Sequence, residues 1–277
     1  VNNTKTLNFR GQLFSLDRPK IMGILNLTDD SFFEGSRVSS GASLIEKVAK
    51  MIEEGVSILD LGAQSTRPGA TLLSAEMELD RLLPALEEIR RHFPETPISI
   101  DTFYGSVARK VVEAGADMIN DISAGSLDSE MIETIASLRV PYVLMHMKGT
   151  PQTMQHQAEY SNVTSEVILF LSKKVHELQL AGVSDIILDP GFGFGKNFEH
   201  NQQLFKSLAE VKKLGYPLLV GVSRKKMIQH ISGTDANGSL NATTAAHILA
   251  LQRGADILRV HDVKEAREAI EVFLHLG

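Results

Sequence analysis

Eight short apolar runs in this 277-residue chain each lead into a residue that can bind a ligand or carry charge. The runs at 98–100, 118–119 and 186–188 stop at Asp101, Asn120 and Asp189. Singly, Asp and Asn at such places are turn formers or helix caps. Together they make a set of acceptors over an apolar cup, and buried carboxylates need donors to offset their desolvation. A flat heterocycle with adjacent N–H groups, such as an aminopyrimidine edge, would supply them. The runs at 218–221 and 257–258 lead into Ser223-Arg224-Lys225-Lys226 and Arg259-Val260-His261. Arginine offers phosphate oxygens a planar fork of donors, and lysine a compact charge. Lys226 reads as solvated surface. Arg259 lies inside an apolar strand end and requires an anion, and its spacing from His261 puts both side chains on one strand face.

Two further runs open into loops rich in oxygen ligands and turn residues, Asn26-Leu27-Thr28-Asp29-Asp30-Ser31-Phe32 and Gln64-Ser65-Thr66-Arg67-Pro68-Gly69-Ala70. Both are long enough to move as lids. Asn26 with two diphosphate oxygens could hold Mg²⁺, which takes few protein ligands and keeps several waters. The segment Asp189-Pro190-Gly191-Phe192-Gly193-Phe194-Gly195-Lys196 is glycine-rich, but it matches neither the dinucleotide nor the P-loop spacing. It reads as a tight strand-to-helix turn in which an aromatic ring could lie along a planar ligand. His146 follows Met145 at the end of the fifth run, and a lone histidine there reads as a hydrogen-bonded structural residue.

What must position these residues is a repeating βα unit. Short apolar runs alternating with helical patterns near 41–54, 74–92, 105–114, 128–138, 161–181, 199–214, 239–253 and 264–275 read as parallel strands with crossover helices. Eight units predict an α/β fold of the (β/α)₈, TIM-barrel type, whose ligand-binding groups gather at the carboxyl ends of its strands. A doubly wound open sheet is the alternative. Gly55, Gly115, Gly182 and Gly254 repeat one helix-to-strand junction at spacings of 60, 67 and 72 residues, which marks alternate strands. Residues 1–19 lie outside the pattern. Thr6–Phe9 and Gln12–Ser15, joined around Gly11, predict a short N-terminal hairpin over the amino end of a barrel domain spanning 20–277.

Composition narrows the partners. A hydrophobic content of 43% is ample for one core, and barrels of roughly 200–250 residues form single domains. A net charge of −6 argues against nucleic acid or an anionic membrane held by bulk charge. The chain has no cysteine, which excludes disulfides and thiolate chemistry and fits a reducing cytoplasm. No apolar stretch approaches the roughly 18 residues of a membrane span, and residues 1–5 carry no signal-peptide core.

From about residue 20 to 265 the ordered strings I-M-G-I-L-N-L-T-D-D-S-F, S-T-R-P-G-A, I-S-I-D-T, I-N-D-I-S, L-M-H-M-K-G-T-P-Q-T-M-Q, D-P-G-F-G-F-G-K, G-V-S-R-K and R-V-H-D-V resemble the dihydropteroate synthase family. The resemblance implies a transferase of folate biosynthesis, the sulfonamide target. It condenses 6-hydroxymethyl-7,8-dihydropterin diphosphate with para-aminobenzoate, giving 7,8-dihydropteroate and diphosphate. On that likeness Asp101, Asn120, Asp189 and Lys225 bind the pterin, with Met145 an apolar floor. Asn26 is the Mg²⁺ and diphosphate ligand, and Thr66, Arg259 and His261 lie toward the diphosphate. Arg67, Pro68, Phe194 and Ser223 belong to the aminobenzoate site, and Asp30 helps order the first loop. The catalytic set so implied is Asp30, Arg67, Lys225, Arg259 and His261, acting without a covalent nucleophile in a cytoplasmic homodimer. No pyrophosphokinase segment is present, so a bifunctional enzyme is not expected.

Three departures from the family's usual strings stand out: Asp29 replaces proline, Ala63-Gln64 replaces Gly-Glu, and Lys226-Met227 replaces Ser-Phe. None removes a named ligand. A methyltetrahydrofolate:corrinoid methyltransferase shares the barrel and pterin site but has no use for Ser223, Arg67 and the Arg259-x-His261 pair. A non-catalytic pterin-binding subunit is the reading from a different class.

Overall fold

The computed structural model describes residues 5–27, 37–64, 72–154 and 157–277. Strands β1 (Thr6–Phe9) and β2 (Gln12–Ser15) form the expected antiparallel hairpin. Its two turn residues, Arg10 and Gly11, both have positive φ, 49° and 83°, matching the right-handed twist of a two-residue hairpin.

Eight parallel strands follow: β3 (Lys20–Asn26), β4 (Ile58–Gly62), β5 (Ile98–Asp101), β6 (Met118–Asp121), β7 (Tyr142–Met145), β8 (Ile186–Asp189), β9 (Leu219–Val220) and β10 (Ile257–Val260). Each of β3 to β7 pairs with its successor, and β10 pairs with both β9 and β3. A bridge between Leu188 and Leu218, with the Leu188 N–H donating to the Pro217 carbonyl at 2.9 Å, joins β8 to β9. The sheet therefore closes as a TIM barrel, and the open-sheet alternative falls. Gly55, Gly115, Gly182 and Gly254, at φ of 99°, 106°, 92° and 93°, end the helices that lead into β4, β6, β8 and β10.

Helices α1 (Arg37–Glu54), α2 (Ala75–His92), α3 (Gly105–Glu113), α4 (Met131–Leu138) and α5 (Val163–Leu180) lie close to their expected positions. The expected helix at 199–214 is two, α6 (Phe198–Lys206) and α7 (Leu208–Lys212), broken at Ser207, whose N–H is shared between the Gln203 and Leu204 carbonyls. Helix α8 (Lys226–Ser232) was not expected, because its start lies in a charged run whose buried Met227 and Ile228 are too few to show a period. Helices α9 (Leu240–Gln252) and α10 (Val263–Leu276) complete the ring. Among the described residues no helix is long and apolar enough to cross a membrane.

Period-two alternation divides the strand residues between two cores. Ile21, Leu59, Ile98, Ile119, Leu144, Leu188, Val220 and Leu258 pack outward among the helices. Met22, Ile58, Met118, Val143, Ile187, Leu219 and Ile257 instead form a plug inside the barrel's amino end, together with Leu7, Phe9 and Leu16. The hairpin is thus continuous with the plug. It is pinned at its edges by Arg10 to Asp117 at 2.5 Å and by the Asn8 N–H to Asp185 at 2.9 Å. Leu7→Ala, at a side chain 1% exposed, should cost about 2–4 kcal/mol of stability while leaving ligand binding at the opposite mouth intact. A denaturation midpoint equal to wild type would remove the hairpin from the core.

Candidate active site

Two residues along from the plug, the inward positions change character. They are Asp60, Asn120, Met145, Asp189, Gly221 and Arg259, and one more step of two reaches Gly62, Ile122, Met147, Gly191, Ser223 and His261. On β3 and β5 the same register places Asn26 and Asp101 at the mouth, because Asn26 is level with Gly62 and Gly62 with Asp101. Alternation alone therefore brings Asn26, Asp101, Asn120, Met145, Asp189, Ser223, Arg259 and His261 to one interior. Asp30, Thr66, Arg67 and Pro68 lie outside the described residues, as does Asp29.

Arg259 dominates the polar floor. Its Nε donates to Asp60 Oδ2 at 2.7 Å, and its terminal nitrogen to Asp101 Oδ2 at 2.9 Å, spanning β3 to reach β4 and β5. Asn120 Nδ2 donates to the same Asp60 oxygen at 3.2 Å. The anion that Arg259 requires is thus supplied by the chain itself, so the charge of Arg259 is not in itself a sign of phosphate. Asp60 was not singled out in the sequence: it lies in the middle of an apolar run and is fully buried. Its one legible signal is position, two residues after a plug residue. Burial raises Asp101 to about 7, with Arg259 opposing and Asp60, Glu78 and Asp121 adding to the rise. Burial also raises Asp189, against Lys225.

Neighbouring residues of each string serve different purposes because they face different sides. Asp121, beside Asn120, faces outward and accepts from the Ser123 and Gly125 N–H groups and from the Tyr142 hydroxyl, each within 2.7 Å. His146, beside Met145, is a buried structural residue as expected, 2.9 Å from Lys196 Nζ. Ser223 Oγ lies 3.0 Å from His261 Nδ1 and accepts from the His261 N–H, which makes the two one unit. Desolvation, then Arg259 and Arg224, push His261 down to about 4, so the ring is neutral at pH 7. Arg224 turns its fork on Asp262 at 2.9 and 2.6 Å rather than toward the mouth. Lys225 donates to the Phe192 carbonyl and lies 4.8 Å from the centre of the Phe194 ring. Burial lowers it to about 8, with Asp189 resisting.

Above the polar floor stands an apolar wall of Phe103, Ile122, Met145, Met147 and Met154, with Leu72, Tyr104, Leu127 and Phe194 against it. The second mouth loop is clamped at its base. Gln64 accepts from the Leu73 N–H at 3.0 Å, donates to the Leu73 carbonyl at 3.1 Å, and donates to buried Glu78 at 2.7 Å. Tyr104 adds a second donor to that carbonyl at 2.9 Å. Burial raises Glu78 above the usual carboxylate range, and the amide at 64 meets it with a donor that an ionised glutamate would lack. Among the described residues no cluster of three or more His, Cys, Asp or Glu side chains gathers to hold a metal.

Known proteins share both the sequence and this architecture. The profile of the pterin binding enzyme family matches residues 22–261. Dihydropteroate synthase of Haemophilus influenzae is 41% identical over 260 residues, covering 93% of this chain and 94% of that protein. The Escherichia coli (strain K12) enzyme is 41% identical over 265 residues, covering 95% and 93%. The structure of Xanthomonas albilineans dihydropteroate synthase with 4-aminobenzoic acid superposes with a TM-score of 0.91 at 39% identity, covering 99% of this chain and 98% of that one. The chain belongs to the dihydropteroate synthase family. Its activity is that of a transferase, condensing the dihydropterin diphosphate with para-aminobenzoate to give dihydropteroate and diphosphate.

The floor of this family member yields a pH prediction. If Asp101 takes the pterin N–H groups, as family likeness implies, it does so best when ionised, and kcat/KM for the pterin substrate should then fall as pH drops through about 7. Asp60→Asn removes a charge that raises Asp101 and leaves Arg259 more fully to it. Both changes lower the Asp101 pKa, so the acid limb should move to lower pH. An unshifted limb in a folded variant would contradict this coupling.

Proposed function

We propose that the mouth divides between the two substrates by chemistry. The described floor has three carboxylates, Asp60, Asp101 and Asp189, facing two cations, Arg259 and Lys225. A site rich in acceptors and short of donors, against an apolar wall, suits a flat aminopyrimidine edge, and this observation carries the reading. Asp101, Asn120 and Asp189 take the pterin N–H groups, Lys225 lies over the ring system, and Met145 underlies it. Ser223 and Phe194, with Arg67 and Pro68 by family likeness, hold the aminobenzoate. By family likeness Thr66, Arg259 and His261 serve the diphosphate, and Asp30 helps order the first loop.

The family's reaction starts by ionisation. The bond from the pterin methylene to the diphosphate oxygen breaks, its electron pair leaves with the diphosphate, and the resulting cation is delocalised into the pterin. The aniline nitrogen attacks that carbon and then loses a proton. Arg259 stabilises the departing charge, and His261, neutral before substrate arrives, contributes a hydrogen bond through the ring nitrogen not turned to Ser223. The chain's contribution is electrostatic stabilisation and positioning.

Asn26 ends β3 with an exposed side chain. A single neutral oxygen donor, with no group of three or more His, Cys, Asp or Glu placed to hold a metal among the described residues, fits Mg²⁺ held chiefly by diphosphate oxygens and water. The ion would supply charge neutralisation to the leaving group. A cytoplasmic homodimer is the assembly we infer, supported by family likeness and a cysteine-free composition.

The deciding assay is diphosphate release by purified protein, expected only when pterin diphosphate, para-aminobenzoate and Mg²⁺ are all present. Binding of pterin without turnover would instead identify a non-catalytic subunit. Ser223→Ala should raise KM for aminobenzoate by roughly ten- to hundredfold, the loss of one hydrogen bond to a charged group, and raise KM for the pterin much less. Equal effects on the two substrates would reject the division.

A further inference from the structure

The underside of the β8 loop holds a second lysine that the reaction does not use. Lys196 is 3% exposed, and acceptors other than a carboxylate surround its ammonium. It donates to the carbonyls of Gly191 at 2.8 Å, Phe194 at 3.1 Å and His146 at 3.3 Å, and lies 2.9 Å from His146 Nδ1. Carbonyl dipoles converging on one buried point need a donor there and favour a cation. Burial and the Lys225 charge lower the Lys196 pKa, and Asp189 opposes that shift. The loop is therefore wound around the ammonium, as a peptide wraps a metal ion.

Its path leaves no slack. Gly191 has φ 71°, and a Cβ there would lie 1.9 Å from the His146 carbonyl oxygen. Asn201 accepts from the Gly193 N–H at 2.8 Å, and the Tyr160 hydroxyl donates to the Gly195 carbonyl at 2.9 Å. Lys225 grips the same loop from the mouth through the Phe192 carbonyl. Burial and the nearby lysine charge hold His146 far below its ordinary pKa, so Nδ1 stays available as an acceptor. Lys196 in turn favours the ionised form of Asp189.

We propose that Lys196 is the positioning residue of the pterin site: its ammonium is the template of the 189–195 loop and aims Asp189, the Phe192 carbonyl and the Phe194 ring without touching the ligand. The inference rests on the pterin assignment above. Lys196→Met keeps most of the side-chain volume and removes the charge. It should raise the dissociation constant of pterin diphosphate, read by calorimetry, about ten- to hundredfold, with a far smaller change in KM for aminobenzoate. Lys196→Ala leaves space for the missing chain and charge, so propylammonium should restore pterin binding, whereas tetramethylammonium at equal ionic strength should not. 1-Propanol, of the same shape but uncharged, should not restore binding either, whereas a purely packing role would let it. Wild type failing to bind pterin diphosphate would sink the substrate assignment; wild type binding and Lys196→Met binding equally well would sink this one. If neither variant folds, refolding of Lys196→Ala decides: recovery in propylammonium supports the template, and no recovery at any amine concentration overturns it.

Discussion

A guanidinium can enter the interior of a barrel only if anions meet it at contact distance, because its lost hydration must be offset locally. Arg259 meets that condition through Asp60 and Asp101. The pairing reaches from β10 across β3 to two further strands, so one side chain fixes the relative placement of carboxylates on β4 and β5. Asp60 then orients Asn120 on β6. The cluster still carries more carboxylates than cations, and one buried oxygen of Asp60 has no partner. The fold tolerates this imbalance at the mouth, where a ligand rich in N–H donors reduces it. The interactions that hold the barrel's upper layer together thus also leave it with surplus acceptors.

The loop after β8 shows how one residue type serves two ends. Lys225 approaches from the mouth, with its charge shared between a carbonyl, an aromatic face and Asp189. Lys196 is enclosed by carbonyls on the other side. In the S-R-K string, three consecutive residues point to three partners, His261, Asp262 and the β8 loop. The cause is Arg224, whose left-handed φ of 56° breaks the alternation that a strand would impose. Strand geometry makes side chains predictable, and the end of a strand is where that predictability stops.

The two ends of the barrel meet opposite demands. At the amino end the interior is filled by apolar side chains and covered by the hairpin, so nothing polar is needed there. At the carboxyl end the interior must stay open to a ligand, and the chain keeps it defined by hydrogen bonds made just outside it. The Gln64–Leu73 clamp and the Arg224–Asp262 pair are of this kind. They hold loop bases rather than ligands, which permits precise positioning beneath segments that substrates must enter and leave.

The sequence by itself determined the βα repeat, the closing hairpin and the carboxyl-end placement of Asp101, Asn120, Asp189, Ser223 and Arg259. All of these follow from short-range physics: hydrophobic period, glycine at helix ends, and the directionality of parallel strands. His146 was legible as structural because a lone histidine reads as a hydrogen-bonded residue, and its place one residue out of phase with Met145 turns it away from the mouth. Partner choice was not legible. Nothing local distinguishes Arg259, which turns to Asp60 and Asp101, from Arg224, which turns to Asp262, or tells that Lys196 is enclosed by loop carbonyls while Lys225 faces the mouth. Asp60 was hidden because an acidic residue within an apolar run has no periodic signal of its own. Helix α8 was hidden because seven residues are too few to establish a period. These outcomes depend on contacts between residues as much as 199 positions apart. Only closure of the barrel brings such residues within a few ångströms, and so only the tertiary structure could decide them.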